Sequence, residues 1–241
     1  MVTELEIKAV LFDMFDTIMM IEHNHEFYIP SIKMMYNTLE NKGINGSFND
    51  FKTAYTKARN ELYKKADLND EEPHFNERIA KTLLFLGYKY SKNSSIVMEC
   101  TLAFCNEFMK YVRIDQDTIK VLTELHKKYK LGIVSNFAIP ECVINLLKRE
   151  DIERFFSVII VSGAINKRKP NKKIFKTALD SLKVTSSETV FVGDTLNADI
   201  KGANDLGMTT IFIERRIQKE KDFIIPDINI KTLKEMLFWI K

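Results

Sequence analysis

Polar side chains that could do chemistry stand at the ends of short apolar runs of the sequence. Asp13 follows one run near the amino terminus, Ser135 ends a second, and Asp194 follows a third after one glycine. If these runs are neighbouring parallel strands, their carboxyl ends meet at one edge of a sheet, where such sheets bind ligands. Two carboxylates and a hydroxyl in one crevice would supply a nucleophile and the hard oxygen ligands that Mg²⁺ prefers.

The elements that would position these residues alternate along the chain. Apolar runs rich in branched residues are typical of buried strands, and they cover Ile7–Phe12, Leu131–Val134, Ser157–Val161, Thr189–Val192 and Thr209–Ile213. Helical patterns lie between them, at about Asp117–Tyr129, Pro140–Arg149, Asn171–Leu182 and Ala198–Leu206. Strands that alternate with helices predict an α/β fold, built as a doubly wound parallel sheet.

The stretch from about Met19 to Arg113 has a different pattern. It shows helix periodicity throughout and no convincing strand. A capping box at Ser47–Asp50 starts one predicted helix, and further helices are predicted at about Phe75–Leu86 and Ser94–Val112. We therefore predict a core domain from residues 1–18 and 114–241, with an inserted helical bundle over residues 19–113.

Four motifs occur in order and carry a resemblance to a known family. They are Val10–Thr17, Ile133–Asn136, Lys169–Pro170 with Ile174–Phe175, and Val192–Thr195 with Asp199 five residues after Asp194. Over nearly its whole length the sequence resembles the haloacid dehalogenase (HAD) superfamily. The resemblance implies a hydrolase with a Rossmann-like core and a helical cap of the C1 type.

The resemblance also implies a catalytic centre that uses magnesium. Asp13 would be the nucleophile that forms an aspartyl-phosphate, and Mg²⁺ would be held by Asp13, Asp194 and the backbone carbonyl of Phe15. Asp199 would join this set, or orient Lys169 and the metal-bound waters. Three carboxylates in one crevice would repel each other without a cation, so the site implies its metal.

The substrate would be a small phosphorylated molecule. Lys169 would supply positive charge to the phosphoryl oxygens and to the nucleophile, and Ser135 would donate a hydrogen bond to them. Asn136, which follows Ser135, is the remaining residue predicted to bind substrate. Ser135 and Lys169 are therefore expected both to bind substrate and to take part in catalysis with Asp13.

Phe15 departs from the family pattern. Most phosphatases of the family carry a second aspartate at this position, which protonates the leaving oxygen and later activates water. Phenylalanine exchanges no proton, and loss of a general acid and base typically lowers a rate by roughly 10²- to 10⁴-fold. Asp16 is the nearest substitute, but one residue further along an extended chain it is expected to point away from the direction of Phe15.

Three functions remain open at this point. The first is a phosphatase that is limited to good leaving groups such as acyl or aryl phosphates, or that recruits an acid from the stretch Glu22–Glu26. The second is a 2-haloacid dehalogenase, which also lacks the second aspartate and needs no protonated leaving group, although retention of Asp194 favours phosphoryl chemistry. The third is a catalytically weak protein that binds a phosphorylated ligand or a partner, which retention of the whole charge set argues against.

Composition limits which partners and which cellular compartment are expected. The 241 residues are 45% hydrophobic and 29% charged, which is ordinary for a globular protein, and the dispersed net charge of +3 gives no basis for nucleic-acid binding. No run approaches the roughly 18 apolar residues that span a bilayer, and the amino terminus lacks the pattern of a secretory signal. Three cysteines at no disulfide or zinc spacing indicate a reducing compartment. We expect a cytoplasmic monomer or homodimer with no membrane partner.

Overall fold

The strands of the protein form one large and one small sheet. The computed structural model describes residues 6–22, 26–215 and 224–240. The strands in these ranges are β1 (Ala9–Phe12), β2 (Met19–Ile21), β3 (Val112–Ile114), β4 (Lys130–Ser135), β5 (Phe156–Val161), β6 (Thr189–Gly193), β7 (Thr209–Ile213) and β8 (Ile228–Ile230). The large sheet has the order β5-β4-β1-β6-β7-β8, and all neighbours in it are parallel.

Helices connect these strands. In the described ranges they are α1 (Tyr28–Glu40), α2 (Phe48–Ala66), α3 (Phe75–Phe85), α4 (Ser95–Phe108), α5 (Thr118–Leu125), α6 (Pro140–Arg149), α7 (Ser162–Ile165), α8 (Lys172–Leu182) and α9 (Lys201–Asn204). The first four lie between β2 and β3, and we call residues 28–108 the helical segment. The later helices alternate with the strands of the large sheet, as the sequence predicts.

The large sheet is packed on both faces. Along β1, Val10 and Phe12 belong to a hydrophobic cluster shared with α5 and α6, whereas Ala9 and Leu11 belong to a second cluster shared with α8 and α9. A strand that is buried on both faces has a continuous apolar sequence, which is why the pattern identified it. The prediction of a doubly wound α/β sheet is confirmed, and the five predicted strands are present within two residues of their predicted bounds.

Some predicted elements differ from the structure. The strand β8 was not predicted, because three residues are too few for a recognisable pattern. The helix predicted over Ala198–Leu206 is instead a π-helical turn, Leu196–Ile200, followed by the short helix α9. The amide groups of both Asp199 and Ile200 donate to the carbonyl of Thr195 at 2.8 and 3.4 Å, and this widens the first turn.

The expectation of no strand between Met19 and Arg113 is wrong. Met19–Ile21 pairs with Val112–Ile114 in an antiparallel ladder. These strands lie at the two ends of the helical segment and exist because the chain brings those ends together. Pairing between residues so far apart in sequence leaves no local periodicity to detect.

The helical segment contains the three predicted helices and one more. Ser47 and Asp50 form the predicted capping box at the start of α2, and Gly87 has a positive φ of 89° where α3 was expected to end. The additional helix, α1, starts after Phe27, whose side chain makes no capping hydrogen bond, so its start carries no sequence signal. Helix α1 packs on α4, and α2 packs on α3. The division into domains at residues 18 and 113 stays a prediction.

Two smaller observations complete the fold. Cys100, Cys105 and Cys142 are buried free thiols. Near the carboxyl terminus Leu233–Phe238 forms a 3-10 helix whose Met236 is buried, whereas Trp239 is 61% exposed. Within the described ranges, no helix combines the length and the apolar character that crossing a membrane requires.

Candidate functional site

Asp13 lies at the centre of the large sheet, directly after β1. The strand β1 separates β4 on one side from β6 on the other, so the chain reverses the direction in which the sheet grows at this point. Such a reversal opens a crevice at the carboxyl ends of the strands. The Asp13 amide donates to the carbonyl of Val192 at 2.8 Å, and the hydroxyl of Thr17 lies 3.4 Å from Asp13 Oδ2.

Lys169 places a buried ammonium group against Asp13. Its Nζ forms an ion pair with Asp13, lies 2.7 Å from Asp199 Oδ1, and donates to the carbonyl of Val134 at 2.7 Å. Burial alone would lower the pKa of Lys169, but the carboxylates of Asp13 and Asp199 outweigh burial and raise it. Lys169 therefore stays charged and presents a fixed positive charge beside the predicted nucleophile.

Three carboxylates converge in the crevice. Asp13, Asp194 and Asp199 are all buried, and each offers an oxygen that lies within 4.8 Å of the oxygens offered by the other two. Burial raises the pKa of Asp13 to about 6 even though Lys169 opposes the rise. Burial and the charges of Asp13 and Asp199 raise the pKa of Asp194 to about 8.

This donor set fits a divalent cation. Three buried carboxylates face one ammonium group, so the site carries excess negative charge. Carboxylate oxygens are the ligands that Mg²⁺ prefers, and a divalent ion among them would relieve their mutual repulsion. Of the four predicted metal ligands the structure brings these three together, whereas the role of the Phe15 carbonyl stays a prediction.

Asp199 is held in place by the turn that precedes it. Its Oδ2 accepts a hydrogen bond of 3.0 Å from the amide of Thr195. Gly193 makes room for the Asp199 side chain, because a Cβ added at Gly193 would lie 2.5 Å from its carboxyl carbon. The glycine and the aspartate of the fourth motif are therefore matched to each other sterically.

Ser135 and Asn136 end β4, beside β1. Ser135 is fully buried, and its hydroxyl has no hydrogen-bond partner among the described residues. Burying a hydroxyl without a hydrogen-bond partner lowers the stability of the fold, unless a bound ligand supplies the partner. The side-chain amide of Asn136 is engaged with the backbone of Lys169, donating to its carbonyl at 3.0 Å and accepting from its amide at 2.7 Å. The prediction that Asn136 binds substrate is untested, and its observed contacts hold Lys169.

Phe15 lies in an aromatic cluster that faces the helical segment. Its ring centroid is 5.6 Å from that of Phe108 and 4.9 Å from that of Phe137. The chain does not continue extended after Phe15, because Asp16 has a φ of 59°. The expected extended geometry is therefore wrong, but its consequence holds: the Asp16 carboxylate turns towards β2 and accepts a hydrogen bond of 3.2 Å from the amide of Ile21.

The stretch Glu22–Glu26, considered as a source of an acid, is described only at its ends. The side chain of Glu22 lies 3.6 Å from Arg113 in an ion pair, and Glu26 is exposed. His23, Asn24 and His25 lie outside the described residues. An acid from this stretch stays a prediction.

A cavity of about 270 Å³, which the sequence analysis does not predict, lies between the helical segment and the core. Its wall includes Asn136 and Phe137, which directly follow Ser135. On the opposite wall, the guanidinium of Arg78 donates to the hydroxyls of Tyr55 at 2.9 Å and Tyr63 at 3.1 Å. The detectable signal was Arg78 itself, since it occupies the buried face of α3 where the helical pattern calls for an apolar residue.

The aromatic side chains of Phe51, Tyr55 and Phe75 are buried in the core of the helical segment. Tyr63 differs, because it lines the cavity and donates a hydrogen bond to the buried carboxylate of Glu72, which lines it too.

Comparisons with known proteins agree with this fold and identify the family. A family model described as haloacid dehalogenase-like hydrolase matches residues 45–213. The glyceraldehyde 3-phosphate phosphatase of Methanopyrus kandleri is 30% identical over 96% of each chain. A HAD phosphatase structure from Thermococcus onnurineus is 25% identical with a TM-score of 0.64, covering 97% of this chain and 98% of that one. A 2-haloacid dehalogenase structure from Pseudomonas syringae is 20% identical with a TM-score of 0.73 over 97% of each chain, a likeness of fold alone.

Proposed function

The chain belongs to the haloacid dehalogenase-like hydrolases, and on that basis we propose that it is a magnesium-dependent phosphatase of a small phosphorylated metabolite. The observation that carries the proposal is the buried group of Asp13, Asp194 and Asp199 against the single ammonium of Lys169. Three carboxylates this close together repel each other unless a cation binds between them. A cation beside a lysine can bind the negatively charged oxygens of a phosphoryl group. The relatives that are named as phosphatases support the same reaction.

Asp13, Asp194, Asp199 and the carbonyl of Phe15 would hold the magnesium ion. When bound, the ion supplies positive charge that offsets repulsion between the anionic nucleophile and the anionic phosphoryl group. The buried hydroxyl of Ser135 would donate its hydrogen bond to a phosphoryl oxygen, which gives that orphaned group its partner. Lys169 would bind a second phosphoryl oxygen while it orients the Asp13 carboxylate.

The reaction would proceed in two displacements at phosphorus. In the first, an oxygen of Asp13 forms a bond to phosphorus as the bond to the leaving oxygen breaks, giving an aspartyl-phosphate and an alkoxide or carboxylate. In the second, water attacks the phosphorus of that intermediate as the bond from phosphorus to Asp13 breaks, which releases the Asp13 carboxylate and an inorganic phosphate that keeps both protons of the water and then exchanges them with solvent. Lys169 stabilises the charge of both transition states because its ammonium group is already fixed at the nucleophile.

Phe15 shapes which leaving groups are favourable. No proton donor stands at its position, so the leaving oxygen must depart unprotonated or take a proton from elsewhere. The carboxylate that leaves an acyl phosphate and the aryloxide that leaves an aryl phosphate are stable anions. These substrates therefore need no proton donor. We infer that they react faster than alkyl phosphates, and that the aromatic cluster of Phe15, Phe108 and Phe137 excludes bulk water from the leaving side.

The helical segment would act as a cap over the site. The cavity of about 270 Å³ between it and the core would hold the part of the substrate beyond the phosphoryl group, and a volume of this size fits the organic part of a small metabolite. Glyceraldehyde 3-phosphate, named for several relatives, is a compound of this size. It is a physiological candidate on size and on the names of these relatives, whereas the missing proton donor at Phe15 favours acyl phosphates of two or three carbons over this alkyl ester.

A 2-haloacid dehalogenase activity is the second candidate. An aromatic residue at Phe15 and the Ser135–Asn136 pair favour it, since displacement of a halide needs neither a protonated leaving group nor a metal. The carboxylate of Asp194 counts against it, because an extra acid near Asp13 has no use in an attack on carbon. The charge set thus supports phosphoryl chemistry over halide displacement.

A substrate panel tests the proposal. Acetyl phosphate, p-nitrophenyl phosphate, glyceraldehyde 3-phosphate and 2-chloropropionate are each incubated with the protein in magnesium and in chelator. We expect phosphate release that requires magnesium and disappears in Asp13→Asn. Chloride release that persists in chelator would establish the dehalogenase instead, and no turnover of any compound would contradict both.

A further inference from the structure

The loop that carries Lys169 is joined to the helical segment by several polar contacts. We call residues 166–171 the lysine loop and residues 67–72, which follow α2, the docking segment. The amide of Arg168 donates to the carbonyl of Asp70 at 2.9 Å, and Nζ of Lys167 donates to the carbonyl of Asn69 at 2.9 Å. The guanidinium of Arg168 also forms an ion pair with Asp67.

The other side of the lysine loop is held by the core. Asn136 engages both the amide and the carbonyl of Lys169. Lys169 is therefore fixed between the core on one side and the docking segment on the other. Because its Nζ must contact Asp13, Asp199 and the Val134 carbonyl at once, a small displacement of the loop would break these contacts together.

The same contacts reach the cavity. The guanidinium of Arg168 lies 5.5 Å from the ring centroid of Tyr63, and Tyr63 lines the cavity. Tyr63 also contacts Arg78 and Glu72 on the cavity wall. A compound in the cavity would thus contact Tyr63, whose neighbour Arg168 directly precedes Lys169 in the chain.

We propose that Arg168 is a positioning residue that couples docking of the helical segment to the placement of Lys169. The inference rests on the proposed function, since Lys169 acts on a phosphoryl group only if that chemistry takes place at Asp13. When the docking segment is seated, Arg168 holds the lysine loop in register with Asp13. When it is not seated, the loop loses one of its two supports and the ammonium group spends less time at the nucleophile.

The solvent exposure of the Arg168–Asp67 ion pair sets the expected size of the coupling. The side chain of Asp67 is 59% exposed and that of Arg168 is 21% exposed, so the ion pair is partly solvated. Pairs of this kind contribute modestly, and their loss would change the ratio of seated to unseated protein about two- to fivefold, which is the largest factor by which kcat can fall. Arg168 therefore biases the position of Lys169 and does not switch it on or off.

Four variants of the full-length protein test the proposal. Asp67→Asn and Arg168→Gln remove the charge pair, and Arg168→Lys keeps the charge. Glu99→Gln is the matched control, because the pair of Glu99 with Lys42 at 2.8 Å lies within the helical segment and is similarly exposed. Asp67 is mostly exposed, so Asp67→Asn serves where a variant at Arg168 fails to fold.

Two readouts are measured, kinetics on acetyl phosphate and hydrogen exchange at the amide of Arg168. In Asp67→Asn and Arg168→Gln we expect kcat to fall about two- to fivefold, KM to stay nearly constant, and the Arg168 amide to exchange faster by a similar factor. Arg168→Lys should retain most of kcat, and Glu99→Gln should match the wild type. The amide of Gly163, which donates to Phe137, should exchange equally in all of them.

Several outcomes would overturn the proposal. These are an unchanged kcat in Asp67→Asn, an equal loss in Glu99→Gln or in Arg168→Lys, and a change in either readout without the other. If the wild type hydrolyses no phosphate compound, the proposed function fails by itself. Exchange at the Arg168 amide would in that case still decide whether the docking segment holds the lysine loop.

Discussion

The side-chain amide of Asn136 pairs with both backbone polar groups of Lys169, at 2.7 and 3.0 Å. These bonds connect the end of β4 to the loop that carries the ammonium group, across 33 residues of sequence. They fix the backbone of Lys169 independently of its side chain. Asn136 thus controls where the positive charge of the site lies.

Replacing Asn136 by alanine should lower kcat without unfolding the protein. The substitution removes two hydrogen bonds that contribute roughly 1 kcal/mol each and leaves two backbone groups in need of new partners. We expect kcat for acetyl phosphate to fall about 10- to 100-fold, measured beside thermal unfolding. Asn204→Ala, which likewise removes two side-chain hydrogen bonds but outside the residues assigned to the site, is the control for general loss of stability, and a similar loss of kcat in it would contradict a specific role of Asn136.

Gly193→Ala, a substitution at the end of β6, should lower kcat by displacing Asp199. A Cβ at this position would lie 2.5 Å from the carboxyl carbon of Asp199 and force that side chain away from Lys169. We expect loss of at least about 90% of kcat, because the misplaced ammonium costs more than about 1.4 kcal/mol of transition-state stabilisation.

Gly43→Ala is the matched control for the loss of a glycine. Gly43 has a φ of 81°, and an added Cβ there would meet nothing within 4 Å. Its replacement should cost about 1 kcal/mol of stability through backbone strain and leave kcat unchanged. If Gly193→Ala keeps normal activity while Gly43→Ala behaves as expected, the steric match between Gly193 and Asp199 does not govern the site.

How much the sequence predicted depends on the range of the interaction. Continuous apolar runs such as the one ending at Phe12 identify strands buried on both faces, and an aspartate directly after such a run lies at the sheet edge. The meeting of Asp13 and Asp194 at this edge was therefore predictable from the strand pattern, whereas the contacts of Lys169 with Asp13 and Asp199 were expected only through the family resemblance. The pairing of Met19–Ile21 with Val112–Ile114 was not, because it depends on chain ends brought together by the fold.

The cavity and the contacts of Arg168 mark the limit of sequence reasoning in the helical segment. Amphipathic periodicity locates helices but does not fix how α2 and α3 pack on the core loops. Arg168 sits in a basic run, where a solvated role is the ordinary expectation, and only the fold places Asp67 opposite it. Asp16 was misjudged for a related reason, since its positive φ is set by the turn into β2.

Magnesium should stabilise the protein more at high pH than at low pH. Burial raises the pKa of Asp13 to about 6 and that of Asp194 to about 8 in the folded protein, above the ordinary value of 3.8. A carboxyl whose folded pKa is raised favours the folded state while it is protonated, and that contribution is lost as pH rises from about 4 to about 8. A bound cation offsets the electrostatic cost of burying these carboxylates in their ionised form. It also competes with protons for the same oxygens.

The measurement is the thermal midpoint in magnesium and in chelator across this range. The difference between the two conditions should be small near pH 5 and should grow towards pH 8. Asp194→Asn should reduce the difference at every pH, while Asp205→Asn, which removes a surface partner of Lys201, should leave it unchanged. A difference that shrinks as pH rises would contradict a metal site built from these carboxylates.

Phe15→Asp should broaden the range of leaving groups. An acid at this position could protonate an alkyl leaving oxygen and then activate water, functions that contribute roughly 10²- to 10⁴-fold where they are present. Phe15 is only half-buried, so an aspartate there retains access to solvent, although its contacts with Phe108 and Phe137 would be lost. We expect kcat/KM for glycerol 3-phosphate to rise at least about tenfold while that for acetyl phosphate changes little.

Phe15→Leu is the control that separates the added acid from the lost ring. It removes the ring without adding an acid, so it should raise kcat/KM for neither substrate. If Phe15→Asp folds, binds magnesium and still leaves alkyl phosphates as poor as before, protonation of the leaving group is not what limits this enzyme.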